Sequence, residues 1–190
     1  MKRIIAAAFV IGAFFISAIS MAQGMNKENT SVTVGGAPMY PARNIVENAM
    51  QSKEHTTLVA AVKAAGLVEI LQSAGPFTVF APTNEAFDRL PKGTVEVLLK
   101  PENKNKLTSI LTYHVIAGKL DSKALAAKIK EGNGSAELET VAGGKLSVMM
   151  KGNNIVLKDE AGGMSTITIK NVYQSNGVIH VVDHVVLPKS

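Results

Sequence analysis

Hydrophobic and polar residues follow one another along this chain in three textures. Residues 4–19 form an almost unbroken apolar run. Residues 23–43 are polar and rich in Asn, Ser and Gly, with no helical or strand period over most of their length. From residue 44 apolar positions return, first with a helical period and later with a strand period.

The helical half reads as follows. Asn44 is placed to cap a short helix reaching residue 51, with Ile45, Val46 and Ala49 on its apolar side. Thr56 or Thr57 opens a second helix whose buried stripe is Leu58, Val59, Val62 and Ala65, and Gly66 stops it. Residues 67–73 add one or two turns with Leu67, Ile70 and Leu71 inward, broken by Gly75-Pro76. Phe77-Thr78-Val79-Phe80-Ala81 is apolar on both faces, as a central strand is, and Pro82 ends it. Thr83 and Asn84 offer caps for a short helix whose Phe87 returns to the core. Residues 94–99 and 103–115 predict two further helices, the second with Leu107, Ile110, Leu111 and His114 at helical spacing. Asp121 or Ser122 caps a last helix to residue 130, with Leu125 and Ile129 inward and Gly132 closing it.

Residues 136–141, 145–150, 154–158 and 165–173 read as strands between turns rich in Gly and Asn. The last strand, residues 178–187, is entered through Asn176-Gly177, a dipeptide suited to the two positive φ angles of a tight hairpin. Helices first and antiparallel strands later predict an α+β domain built on a strand sandwich. The early strand, residues 77–81, must find its partners far along the chain.

The first texture changes the picture of where the protein works. Lys2 and Arg3 precede the apolar run, and Ser20-Met21-Ala22 puts small residues at −3 and −1 before Gln23. This three-part layout predicts a cleavable secretory signal over residues 1–22. A membrane anchor needs about 20 apolar residues, and this run is slightly shorter. Residues 23–43 are expected to be a flexible leader, in which Ser31-Val32-Thr33-Val34 has strand character but no obvious partner. Residues 44–188 are expected to form one domain. The chain has no Cys, which excludes disulfides, a lipidated cysteine, thiol catalysis and Cys-based metal sites. The formal charge of +5 falls to +3 when Lys2 and Arg3 leave, and the remaining lysines are scattered. No Arg-rich or aromatic-interleaved run accompanies them, so nucleic acid is not an expected partner.

Three segments resemble the signatures of one family, the fasciclin (FAS1) domains. The first runs from Gly75 and Pro76 through Phe77, Pro82, Thr83 and Asn84 to Phe87. The second is Tyr113-His114-Val115-Ile116. The third runs from Asn176 and Gly177 through His180, Asp183 and His184 to Leu187 and Pro188. The resemblance covers most of the chain beyond the leader. It implies an α+β fold, a FAS1-like wedge-shaped β-sandwich with flanking N-terminal helices. It also implies a non-catalytic role in adhesion or extracellular binding. Likeness of fold says nothing further about function.

Each candidate residue has a structural and a functional reading. Thr83, Asn84 and Phe87 are explained by capping and core packing, or they border a partner-binding edge. Tyr113 and His114 occupy the motif that the family offers as a receptor contact, yet His114 continues an apolar stripe and fits a satisfied core histidine. Alternation along residues 178–187 puts His180 and His184 on one face and Asp183 on the other, away from both. On a strand the two histidines stand about 13 Å apart, too far to share one zinc ion. No Gly-x-Ser-x-Gly elbow, phosphate loop or calcium-loop spacing is present. No cofactor, metal or catalytic set is therefore expected. The expected partner is a protein or an extracellular or cell-surface polymer, met outside the cytoplasm with no membrane span after cleavage. A periplasmic carrier holding a small ligand in a cleft of the sandwich is the alternative, and a hydrolase built from Ser, His and Asp is the third possibility.

Overall fold

The computed structural model describes residues 30–189. The signal sequence expected over residues 1–22 lies outside the described residues. Among the described residues, seven α-helices and nine strands follow in order, with short 3-10 turns at Lys53–His55 and Pro101–Asn103. They are β1 (Val32–Val34), β2 (Ala37–Met39), α1 (Ile45–Ala49), α2 (Thr56–Ala65), α3 (Val68–Gln72) and β3 (Phe77–Pro82). Next come α4 (Asn84–Asp88), α5 (Thr94–Leu98), α6 (Lys104–Tyr113), β4 (Val115–Ala117) and α7 (Ser122–Glu131). The chain closes with β5 (Ser135–Glu139), β6 (Lys145–Lys151), β7 (Asn154–Lys158), β8 (Met164–Gln174) and β9 (Gly177–Val182).

Seven strands make one mixed sheet in the order β4-β3-β9-β8-β7-β6-β5. β3 runs parallel to β9, with Phe80 opposite His180, and antiparallel to β4. The early strand thus finds its long-range partner in the last one. β8 is the fold line. It pairs with β7 through residues 164–166 and with β9 through residues 167–174, with register shifts at Ile167/Ile169 and Ile169/Val172. Such bulges bend a strand and increase its twist. The two halves of the sheet therefore close on a shared core. Phe80, Ile116, Ile167 and Val182 come from one half, and Leu138, Leu146, Val148 and Leu157 from the other. Leu125 and Ile129 of α7 and the ring of Tyr113 complete that core.

The outer face of β3 and β9 carries the helices. Val79, Ala81, Ile179 and Val181 pack on Leu58, Val62, Leu107, Leu111 and Phe87. β3 is therefore buried on both faces, with Phe80 pointing into the sandwich and its neighbours into the helical layer. The result is an α+β fold of the expected class.

Several local expectations are corrected. Within the leader expected over residues 23–43, residues 32–39 form a packed hairpin. β1 pairs antiparallel with β2, Val32 opposite Met39, and Val34 and Met39 are buried in the helical core. Two apolar side chains on one face of a short hairpin suffice for this. Ile70 is 55% exposed, because α3 ends at Gln72 and presents only Leu71 inward among its own residues. The helix expected to run to residue 115 stops at Tyr113, and Val115–Ala117 becomes the edge strand β4. The closing strand ends at Val182 rather than at residue 187. Gly66 does stop α2, in the left-handed conformation that glycine adopts without steric cost.

Candidate functional site

The three signature segments converge where β3, the end of α6 and the chain after β9 meet. His114 follows the last residue of α6 and is 2% exposed. Its Nδ1 lies 2.8 Å from the Ile110 carbonyl, and its Nε2 lies 3.1 Å from the Val186 backbone nitrogen. A carbonyl only accepts and a backbone N–H only donates, so the ring must carry its proton on Nδ1. One imidazole thus satisfies a carbonyl left free at the helix end and anchors the chain beyond β9. Burial depresses its pKa to about 4, against the opposing pull of the Ile110 bond and the charge of Asp159.

Tyr113, fully buried, turns its hydroxyl to the other side. The hydroxyl donates to the Lys145 carbonyl at 2.6 Å and accepts from the Glu160 N–H at 3.2 Å. Burial raises its pKa. The adjacent acidic pair completes the clasp. Asp159 accepts from the N–H groups of Gly163 (2.6 Å) and Leu187 (2.8 Å). Glu160 accepts from those of Lys145 (2.8 Å) and Lys189 (3.2 Å), and these bonds hold its carboxyl below the usual range. Periodicity assigned no role to Asp159 and Glu160. Their signal was an acidic pair placed directly before Ala161-Gly162-Gly163, where a carboxylate can reach back to free N–H groups.

Asn176 is a second junction. Its Oδ1 accepts from Ile45 N–H at 3.0 Å, and its Nδ2 donates to the carbonyls of Leu71 (2.8 Å) and Ser73 (2.9 Å). The start of α1, the end of α3 and the β8–β9 turn are bound through one buried amide. The positive φ angles expected for Asn176-Gly177 are absent: positive φ outside glycine occurs only at Asn133 and Asn171 among the described residues, and Gly177 is not among the glycines with it. Gln174 pairs with Gly177, so the turn residues are Ser175 and Asn176. Gly177 is needed for another reason, since a Cβ there would lie 2.1 Å from the Phe77 carbonyl oxygen. Asn48 was missed. It is fully buried, exchanges two hydrogen bonds with Tyr40 and donates to Gln174 Oε1. A polar residue on the apolar side of a short helix, beside Ile45 and Ala49, was its signal.

Thr83 caps α4, accepting from Ala86 N–H at 3.2 Å. Asn84 does not cap its own helix. Its Oδ1 accepts from Thr57 N–H at 3.0 Å and its Nδ2 donates to the Lys53 carbonyl at 2.9 Å, so it serves the start of α2. Phe87 is buried in the helical core.

His180 stacks on Phe80 with centroids 5.8 Å apart. Its Nε2 donates to the Leu120 carbonyl at 2.9 Å, and its Nδ1 accepts from Asn171 N–H at 3.4 Å. Burial lowers its pKa. Asp183 does not face away from both histidines, because the chain bends after Val182 and alternation stops there. Its Oδ1 lies 2.9 Å from His184 Nδ1 and accepts from Thr166 N–H at 2.7 Å. Burial alone would raise the Asp183 carboxyl, but the His184 and Thr166 bonds, with Arg89 nearby, outweigh it and hold it low. Ser165 joins this group. Its hydroxyl donates to the His184 carbonyl at 2.9 Å and lies 3.4 Å from Asp183 Oδ1. The three residue types of a hydrolase are thus together, but the serine bonds to the backbone and the carboxylate rather than to the imidazole. A general base must reach the hydroxyl it activates. Among the described residues, no cluster of three or more His, Asp and Glu is arranged to hold a metal ion.

A model of the fasciclin domain matches residues 53–188. The chain belongs to the fasciclin family. Protein sll1483 of Synechocystis sp. is 45% identical over 187 residues, covering 98% of this chain and 96% of that one. Immunogenic protein MPB70 of Mycobacterium bovis is 34% identical, covering 87% of this chain and 72% of its own. Transforming growth factor-beta-induced protein ig-h3 of Sus scrofa is 33% identical over 148 residues, which are 78% of this chain and 20% of that protein. In fold, this fasciclin domain is similar to a FAS1 domain pair from the insect cell adhesion molecule Fasciclin I. The TM-score is 0.69 at 19% identity, over 78% of this chain and 52% of that one.

Proposed function

We propose that this fasciclin domain is an exported adhesion or protein-interaction module, acting outside the cytoplasm without chemistry of its own. The observation that carries the reading is the inward wiring of the signature residues. Tyr113, His114, Asn176 and His180 each bond to backbone groups, and all four are buried. Side chains committed to holding loops in place are not available to a substrate. On this reading the Tyr113-His114 motif shapes the domain, and contact with a partner falls to exposed surface. The cleavable secretory signal expected over residues 1–22 supports export. The partner is a protein or an extracellular or cell-surface polymer.

An apolar cavity of about 60 Å³ lies between α1–α3, α6 and β3, lined by Val46, Val62, Leu71 and Leu111. Pockets for small ligands usually span about 300–1,000 Å³. This cavity is too small to hold such a ligand. Cell fractionation and attachment assays on a gene deletion test the proposal. It expects the protein outside the cytoplasm and attachment reduced in its absence. A cytoplasmic protein, or attachment unchanged on every surface tried, would overturn it.

A further inference from the structure

Resting on that reading, we infer that the groove between α5, α6 and the residues following β9 is the interaction surface, and that it receives an extended acidic peptide segment of a partner protein. The groove measures about 760 Å³ and opens to solvent. Its floor is apolar, formed by Leu90, Leu98, Ile110 and Leu187. Val97, on α5, borders it and is 50% exposed, so an apolar side chain already waits at the mouth without cover.

The charge around this floor has one sign. Lys92, Lys106 and Lys189 line the groove, and no Asp or Glu does. Lys92 and Lys106 take part in none of the ion pairs among the described residues. The carboxylates of Glu96, Glu102 and Glu160 lie outside the lining, and Glu160 stands against Lys189, so Lys92 and Lys106 carry the groove's positive charge. Cationic rims around an apolar floor match a ligand that alternates carboxylates with apolar side chains. An extended peptide does this naturally, because its successive side chains point to opposite sides. An anionic polysaccharide supplies charge but leaves the apolar floor unmatched. The clasp of Tyr113, Asp159 and Glu160 fixes residues 187–189 as one wall, which links the signature residues to this surface.

The test uses the whole exported protein and a fluorescein-labelled synthetic peptide alternating Glu with Leu, followed by fluorescence anisotropy. Controls are the same peptide with Lys in place of Glu, and alginate as a polyanion without apolar side chains. Saturable binding of the acidic peptide is expected, weakening as salt rises. The K92E/K106E double variant should lose about tenfold or more in affinity, as should Val97→Asp, at unchanged melting temperature. No saturation, an affinity unchanged in both variants, or alginate binding as tightly as the peptide would overturn the inference. Complementing the deletion strain with K92E/K106E separates the two claims. Attachment restored fully by the variant removes the groove but leaves the adhesion reading intact. Attachment that never depended on the protein, with peptide binding still at the lysines, removes the adhesion reading alone.

Discussion

The Val186 N–H donates to Nε2 of His114 across 72 positions of sequence, at 3.1 Å. Through that bond the end of α6 fixes the path of the chain after the last strand. His114→Ala would leave Val186 N–H and the Ile110 carbonyl unpaired in a buried site and open a cavity there. We expect a loss of about 2–4 kcal/mol, read as a lower urea midpoint at constant m-value. Stability within about 0.5 kcal/mol of the parent would contradict the framework role.

The same burial makes stability depend on pH. His114 is depressed to about 4 in the folded protein, against about 6.5 when unfolded. Between those values the unfolded chain binds more protons, so stability rises with pH. The contribution is fully present above about pH 6.5 and is lost as pH falls towards 4, about 3 kcal/mol in all for this one residue. His55 and His180 are lowered too and act in the same direction. Urea titrations across this range should show the midpoint falling with acidification, more weakly in His114→Gln.

Asn176 joins α1, α3 and the β8–β9 turn, so its loss should loosen the helical layer from the sheet. Asn176→Ala orphans Ile45 N–H and two carbonyls, a cost of about 3 kcal/mol. Amide hydrogen exchange should then accelerate in α1 and α3 before it does in β6 and β7. Gly177→Ala is expected to be worse, since its Cβ collides with the backbone of β3.

Two caps should separate cleanly from one surface cluster. Thr83→Ala removes the cap of α4, and Asn84→Ala that of α2, each costing about 1 kcal/mol. His184→Ala, on a partly exposed contact with Asp183, should change stability by under about 0.5 kcal/mol. Thermal denaturation of the three variants checks the ranking.

Much of this framework was legible because it rests on period and caps. The stripe of Leu107, Ile110, Leu111 and His114 names the buried face of α6, and of the two expected caps of α7, Asp121 or Ser122, it is Asp121 that serves. Long-range pairing between polar side chains and backbone was not legible. Asn84 serves a helix 27 residues earlier, and Asn176 one 131 residues earlier. Alternation placed Asp183 apart from His184 because nothing in residues 178–187 marks where the strand leaves the sheet. The β1–β2 hairpin is half legible: residues 31–34 show strand character, but Ala37-Pro38-Met39 carries too little period to mark it as their partner. The groove at Lys92 and Lys106 is assembled from separate elements, and no single segment announces it.

The most direct test of the account is the protonation of His114, followed by nitrogen-15 NMR of the imidazole rings in the wild-type protein as pH is lowered. The account predicts a neutral ring carrying its proton on Nδ1 and an unprotonated Nε2, with no titration until about pH 4. A midpoint near 6.5, as for a histidine in water, would contradict it and return Tyr113-His114 to the surface.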